Sequence, residues 1–125
     1  FYKNETFQVA AQVGEKFQEK FAGHQHAGRM AFRAGQCYYK LEDFMKAAAT
    51  FDRFIKVFPD DELAADALFW AAESYREGRR LPEAFQRYNR CRWDFPASDA
   101  AKYARGRLAM PEMLRLFEEA AELDK

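Results

Sequence analysis

Two cysteines, two histidines, four prolines and no excess of either charge leave this 125-residue chain short of the residues from which chemical sites are usually built. Cys37 and Cys91 make no CxxC pair and no metal-ligand spacing. They read as two single buried thiols, with nothing in the spacing to support a disulfide. His24 and His26 are separated by one residue, which on a helix would aim them to different sides, and no further ligands are spaced to complete a metal shell. A polar turn is the reading. Lys plus Arg and Asp plus Glu number 20 each, so no overall pull toward nucleic acid or anionic lipid is expected. No apolar run is long enough to cross a bilayer. A Gly-rich phosphate loop, a nucleophile elbow and HExxH are all missing, so neither catalysis, nor a cofactor, nor a bound metal is expected.

Charge is nonetheless uneven. Residues Arg79 to Arg107 are mostly basic and Glu112 to Asp124 mostly acidic, a pattern read as solvated helix faces. Arg87, Arg90, Arg92, Lys102, Arg105 and Arg107 could touch phosphates, but the intervening Asp94 and Asp99 and the zero net charge argue against a nucleic-acid partner. Asp60, Asp61 and Glu62 resemble a pair of acid and base groups, yet their place just before a helix makes them complements of its positive end.

What the chain does have is aromatic side chains, 17% of the total with 13 Phe, beside 32% charged residues. That mixture suits a layered helical array with wet outer faces. Apolar residues recur at helical spacing, and the alternation of a half-buried strand is nowhere sustained. The spacing predicts helices over about Glu5 to Phe21, Ala27 to Lys40 and Asp43 to Phe58, with a turn at Gly23 to His26. Pro59 and Pro96 stop helices, Ser98-Asp99 can cap the next one, Gly78 breaks the chain, and Pro82 falls in a first turn where it is tolerated.

These elements repeat. Phe44, Ala47, Phe51, Phe54, Phe58 and Pro59 recur 37 residues later as Leu81, Ala84, Tyr88, Cys91, Phe95 and Pro96, and the template runs back to Phe7, Ala10, Gly14, Phe17 and Phe21. A period of this length marks a stack of two-helix units, each burying its face on the next. The third unit begins faithfully with Ala101 and Ala104, then Pro111 interrupts it and Glu112 stands where Tyr38 and Tyr75 predict a Tyr. Met113, Leu114, Phe117, Ala120 and Ala121 form an apolar stripe beyond it, so Pro111 to Leu123 reads as a capping helix.

Gly35, Tyr38, Ala47, Phe51 and Pro59, and again Ala72, Tyr75, Ala84, Tyr88 and Pro96, fall at the spacings of the tetratricopeptide repeat, which the chain resembles. The resemblance implies an all-α, right-handed αα-hairpin solenoid of about seven helices without a sheet. It implies one domain over 1–125. Residues 1–26 hold the second helix of a truncated repeat plus a turn, 27–63 and 64–100 are repeats, and 101–125 is a divergent repeat with its cap. Position 54, usually small in the family, is Phe, and position 91 is Cys, which predicts looser or shifted packing there. The period of 37 exceeds the usual 34. The extra residues follow the Pro in a joint that resembles the bacterial periplasmic branch, with its YbgF-like proteins of the Tol-Pal system and BamD-like outer-membrane assembly lipoproteins. Because Phe1-Tyr2-Lys3 aligns with the interior of a repeat, Tyr38-Tyr39-Lys40, a processed protein or an excised fragment is expected.

In that family the first helix of each pair lines the concave face. Carried over by position, this face presents Arg29, Phe32, Gln36 and Tyr39, then Asp66, Phe69, Glu73 and Arg76, then Tyr103, Gly106 and Met110. Phe32 and Phe69 are equivalent and lie outside the packing signature; they either stack on each other within the core or form a ligand-facing strip. Trp70 and Trp93 are expected to be half-buried. The implied function is a protein–protein scaffold in the periplasm or cell envelope, with the cytoplasm as the alternative compartment, gripping a peptide or helical segment of another protein. The alternative function is a structural subunit of a larger enzyme or transport assembly, with its repeat surface permanently buried. A longer repeat array or an oligomer is compatible with both.

Overall fold

The computed structural model describes residues 8–10, 12 and 27–123. Residues 8–10 and 12 are helical, and the rest of the expected helix from Glu5 to Phe21, with the turn holding His24 and His26, lies outside the described residues. Six helices follow: α1 (Ala27–Lys40), α2 (Phe44–Val57), α3 (Ala64–Glu77), α4 (Leu81–Asp94), α5 (Asp99–Leu108) and α6 (Pro111–Leu123). Among the described residues there is no strand, and the all-α hairpin architecture expected from the repeat is the one observed.

Local chemistry explains the boundaries. Asp43 accepts the amide of Lys46 at the start of α2, Ser98 accepts that of Ala101 at the start of α5, and Pro82 sits in the first turn of α4. Before α3, the Asp61 carboxylate accepts the Leu63 amide at 2.9 Å. At the two tight turns, Asp43 N–H bonds to Tyr38 C=O and Arg80 N–H to Tyr75 C=O, each spanning five residues. These closures satisfy the last carbonyls of α1 and α3. They also require a left-handed residue, and it is not the Gly78 that the sequence singles out. Glu42 (φ 62°) and Arg79 (φ 64°) take that conformation at equivalent positions, and among the described residues no glycine has a positive φ.

Each helix packs against the next, and α1, α3 and α5 also meet side by side, so the first helices of the pairs form one layer and α2 and α4 the other. The seam between layers is filled by Phe51, Phe54, Leu68, Tyr88, Cys91 and a set of alanines, all shielded from water. Burying a Phe-sized side chain stabilises by roughly 2–3 kcal/mol. Gly35 is required by contact: a Cβ there would lie 2.7 Å from the Phe51 ring. Tyr38 is buried, with the Lys46 ammonium 5.6 Å from its ring centroid, and Tyr75 is half-buried. Phe54, expected to loosen the packing, is instead fully enclosed between Phe32 and Phe58, with ring centroids 6.0 and 5.3 Å away. The buried hydroxyls of Thr50 and Ser74 donate to carbonyls one turn back, Lys46 and Trp70.

The third unit departs where Pro111 predicts. The first four helices have 14 residues each and α5 only ten. α6 meets α4 and α5 over less of its length than the other hairpin helices meet their partners. Met113 is fully buried, whereas Leu114 is half exposed. Cys91 is buried as expected; Cys37 is only partly so, and both are free thiols.

Candidate functional site

The layer made by α1, α3 and α5 carries several aromatic residues that the core absorbs only in part. Tyr39 of α1 meets Trp70 of α3 edge-on at 5.1 Å, Trp70 meets Phe69 at 6.2 Å, and Phe69 meets Tyr103 of α5 at 6.1 Å. The result is a row of rings that crosses three helices. Tyr103 ends it and is 65% exposed. Beside it, Gly106 stands at the position equivalent to Phe32 and Phe69, with no atom within 4 Å of where a Cβ would be. The third repeat thus has an open notch where the other two have a ring.

Nine of the eleven residues expected on this face fall into three groups. Tyr39, Phe69 and Tyr103 belong to the aromatic row. Arg29 is exposed and Gln36 and Asp66 half-buried along the same layer; burial, with the Asp99 charge nearby, holds the Asp66 carboxyl above its ordinary range. Phe32, Glu73 and Arg76 are placed differently. Phe32 turns into the core, its ring 5.5 Å from Phe51 and 6.0 Å from Phe54. It therefore packs inward, though not by stacking on Phe69. The Glu73 side chain is only 7% exposed. It accepts from the Tyr88 hydroxyl, from Arg107 Nε at 2.9 Å and from Arg76 Nη2 at 3.4 Å. Arg76 in turn lies 3.4 Å from Glu77 and 3.9 Å from Glu112 at the start of α6. Burial alone would lower the Arg76 pKa, but Glu73 and Tyr88 outweigh it and the guanidinium is held above its ordinary range. An acid expected at the surface is consumed by an internal network, because a buried carboxylate must be matched by donors.

Arg107 was not expected to take part. The signal was present in the repeat register, where positions 33, 70 and 107 read Arg, Trp and Arg. In the joint between the first two repeats, Trp70 stacks on Phe51 at 6.4 Å. In the next joint the equivalents are Arg107 and Tyr88, and Glu73 replaces Gln36 between them. An apolar contact has been exchanged for a hydrogen-bonded polar one.

On the opposite layer a second ion network joins α2, α3 and α4. Asp52 accepts from Arg87 Nε at 2.9 Å, Arg87 Nη2 at 3.0 Å and the Tyr75 hydroxyl at 2.6 Å. Burial and the bond to Asp52 push the Tyr75 phenol up to about 12. Trp70 is half-buried as expected, but Trp93 is 70% exposed, with the Arg92 guanidinium 4.8 Å from its ring centroid. No group of three or more His, Cys, Asp or Glu suited to a metal occurs among the described residues. Nor is any helix among them long and apolar enough to cross a membrane.

Antiparallel helix pairs stacked in two layers, with an aromatic row along the first-helix layer, define a helical-repeat scaffold of the kind that holds other polypeptides. The tetratricopeptide repeat model matches residues 30–61 and 66–98, just over half of the chain, and the chain belongs to that family. No curated protein matches it. Repeats of this family make protein-interaction scaffolds.

Proposed function

We propose that the chain is an adaptor that holds a peptide or helical segment of another protein along the layer formed by α1, α3 and α5. The observation that carries this reading is Tyr103, a large aromatic side chain kept in place by Phe69 yet 65% exposed, beside the open notch at Gly106 and the 40%-exposed side chain of Arg107. Aromatic and arginine side chains held in position at a surface are the groups that most often dominate binding energy. The segments around Phe58-Pro59 and Phe95-Pro96 support assignment to the periplasmic branch with the YbgF-like and BamD-like proteins, and hence to the bacterial cell envelope.

A photo-cross-linking phenylalanine derivative placed at position 103 in the native organism is expected to capture a protein partner, and Tyr103→Ala is expected to weaken that complex about tenfold without loss of helicity. Cross-links arising only from a control at position 93 would overturn the site. Retention of the chain in the cytosol after osmotic shock would overturn the compartment and leave the adaptor standing. The exposed Met45, Trp93 and Leu114 favour a second reading, a subunit buried on several sides in a larger assembly. Recovery of one stoichiometric complex would select it.

A further inference from the structure

We propose that the groove between α2 and α4, on the layer opposite the aromatic row, is a separate docking site for an acidic peptide segment bearing an apolar side chain. The groove is a shallow, solvent-open depression of about 440 Å³ lined by Asp52, Ile55 and Lys56 of α2, by Pro59, and by Arg87 and Arg90 of α4. Its one acid is already spent. Both oxygens of Asp52 are taken by the Arg87 guanidinium and the Tyr75 hydroxyl, so this carboxylate and this guanidinium cancel. What remains facing the groove is Lys56 and Arg90, both exposed and, among the described residues, without an ion pair or hydrogen bond. Between them lie apolar atoms, Ile55 at the floor and Pro59 at the rim.

Two unmatched cations around an apolar patch select for two properties in one ligand. Carboxylates complement Lys56 and Arg90, and an apolar side chain set between them covers Ile55 and Pro59. A phosphate backbone would use the cations but leave the apolar atoms wet, and it gains most from a longer track of positive charge than this groove supplies. The residue types are specific to this seam, since the repeat equivalents of Lys56 and Arg87 are Trp93 and Thr50. The site does not depend on the aromatic row, and the two can be tested apart.

The test uses the full chain and a fluorescein-labelled synthetic peptide made of repeated Asp-Leu-Glu units, followed by fluorescence anisotropy. The peptide is expected to bind, to weaken as salt rises from about 0.05 to 0.3 M, and to bind about tenfold more weakly to the Lys56→Glu/Arg90→Glu double variant. Oligoglutamate of equal length is expected to bind several-fold less tightly, and Tyr103→Ala to change nothing. The single variants Lys56→Ala and Arg90→Ala, at exposed positions, provide the same comparison should the charge reversals perturb folding. Absence of binding, equal binding by the charge variants, loss of binding in Tyr103→Ala, or equal competition by duplex DNA or phosphatidylserine vesicles would each overturn the proposal.

Discussion

Tyr88 donates its hydroxyl to the buried carboxylate of Glu73, two positions at which the preceding repeat carries Phe51 and Gln36. One added oxygen thereby recruits a charge into the core. Arg107 and Arg76 neutralise that charge from α5 and α3, so the network ties three helices together and gives the second joint a specificity that apolar packing alone lacks.

Removing the charge should therefore cost more than removing the hydroxyl. Glu73→Ala leaves the Tyr88 hydroxyl and two guanidinium groups without their acceptor and is expected to destabilise by roughly 3 kcal/mol. Tyr88→Phe deletes one donor to an acceptor that keeps two others, and is expected to cost about 1 kcal/mol. Arg107, with its side chain 40% exposed, can turn to water, so Arg107→Ala should cost less than about 1 kcal/mol. Urea midpoints of the three variants check the ranking, and a smaller loss for Glu73→Ala than for Tyr88→Phe would show that the carboxylate is not holding the joint.

Glycine is needed at position 35, dispensable at position 106 and missing from the left-handed positions 42 and 79. Gly35→Ala drives a Cβ into the Phe51 ring and should destabilise by roughly 1–3 kcal/mol. Gly106→Ala meets nothing and lowers the backbone entropy of the unfolded chain, so it should stabilise by about 0.5 kcal/mol. Arg79→Gly and Glu42→Gly relieve left-handed non-glycine residues and should each raise stability by about 1 kcal/mol. Thermal melts of the four single variants should show one fall and three rises.

Alkaline pH should act through the tyrosines. Tyr75 is pushed from 10.0 to about 12 by burial and by its bond to Asp52, and Tyr88 is raised further by burial and Glu73. In both cases the folded state favours the neutral phenol. Their contribution to stability is whole below pH 10, the unfolded value, and is lost as pH rises through 12 and beyond. Near-ultraviolet tyrosinate absorbance should show at least two phenols titrating late in the native chain and near 10 in urea. Tyr75→Phe should remove one of the late groups, and Asp52→Asn should shift it downward. A native chain whose phenols all ionise together near 10 would contradict this arrangement.

The backbone architecture was legible because it rests on short-range rules. Pro59, Pro96 and Pro111 end or start helices by sterics, Ser98 and Asp43 cap by local hydrogen bonds, and the 37-residue recurrence of Ala, Phe and Tyr marks which faces pack. The candidate site was legible only in part. Tyr39, Phe69 and Tyr103 lie on the first-helix layer, as their repeat register implies, and Trp70 links them through ring contacts that the register does not show. Phe32 and Glu73 occupy the same register as residues near that surface, yet their side chains turn inward because Phe51, Phe54, Tyr88 and Arg107 offer them better partners there. The exposure of Trp93 and the left-handed turns at Glu42 and Arg79 were likewise invisible in the periodicity.

Periodicity in the chain alone was enough to determine a stack of antiparallel helix pairs, since helix length, breaks and apolar spacing are written residue by residue. Tertiary structure alone decided which polar and aromatic side chains are spent inside and which remain outside. That choice depends on contacts between residues 15 to 35 positions apart, such as Tyr88 with Glu73 and Arg87 with Asp52. Such contacts exist only once neighbouring repeats have closed on each other.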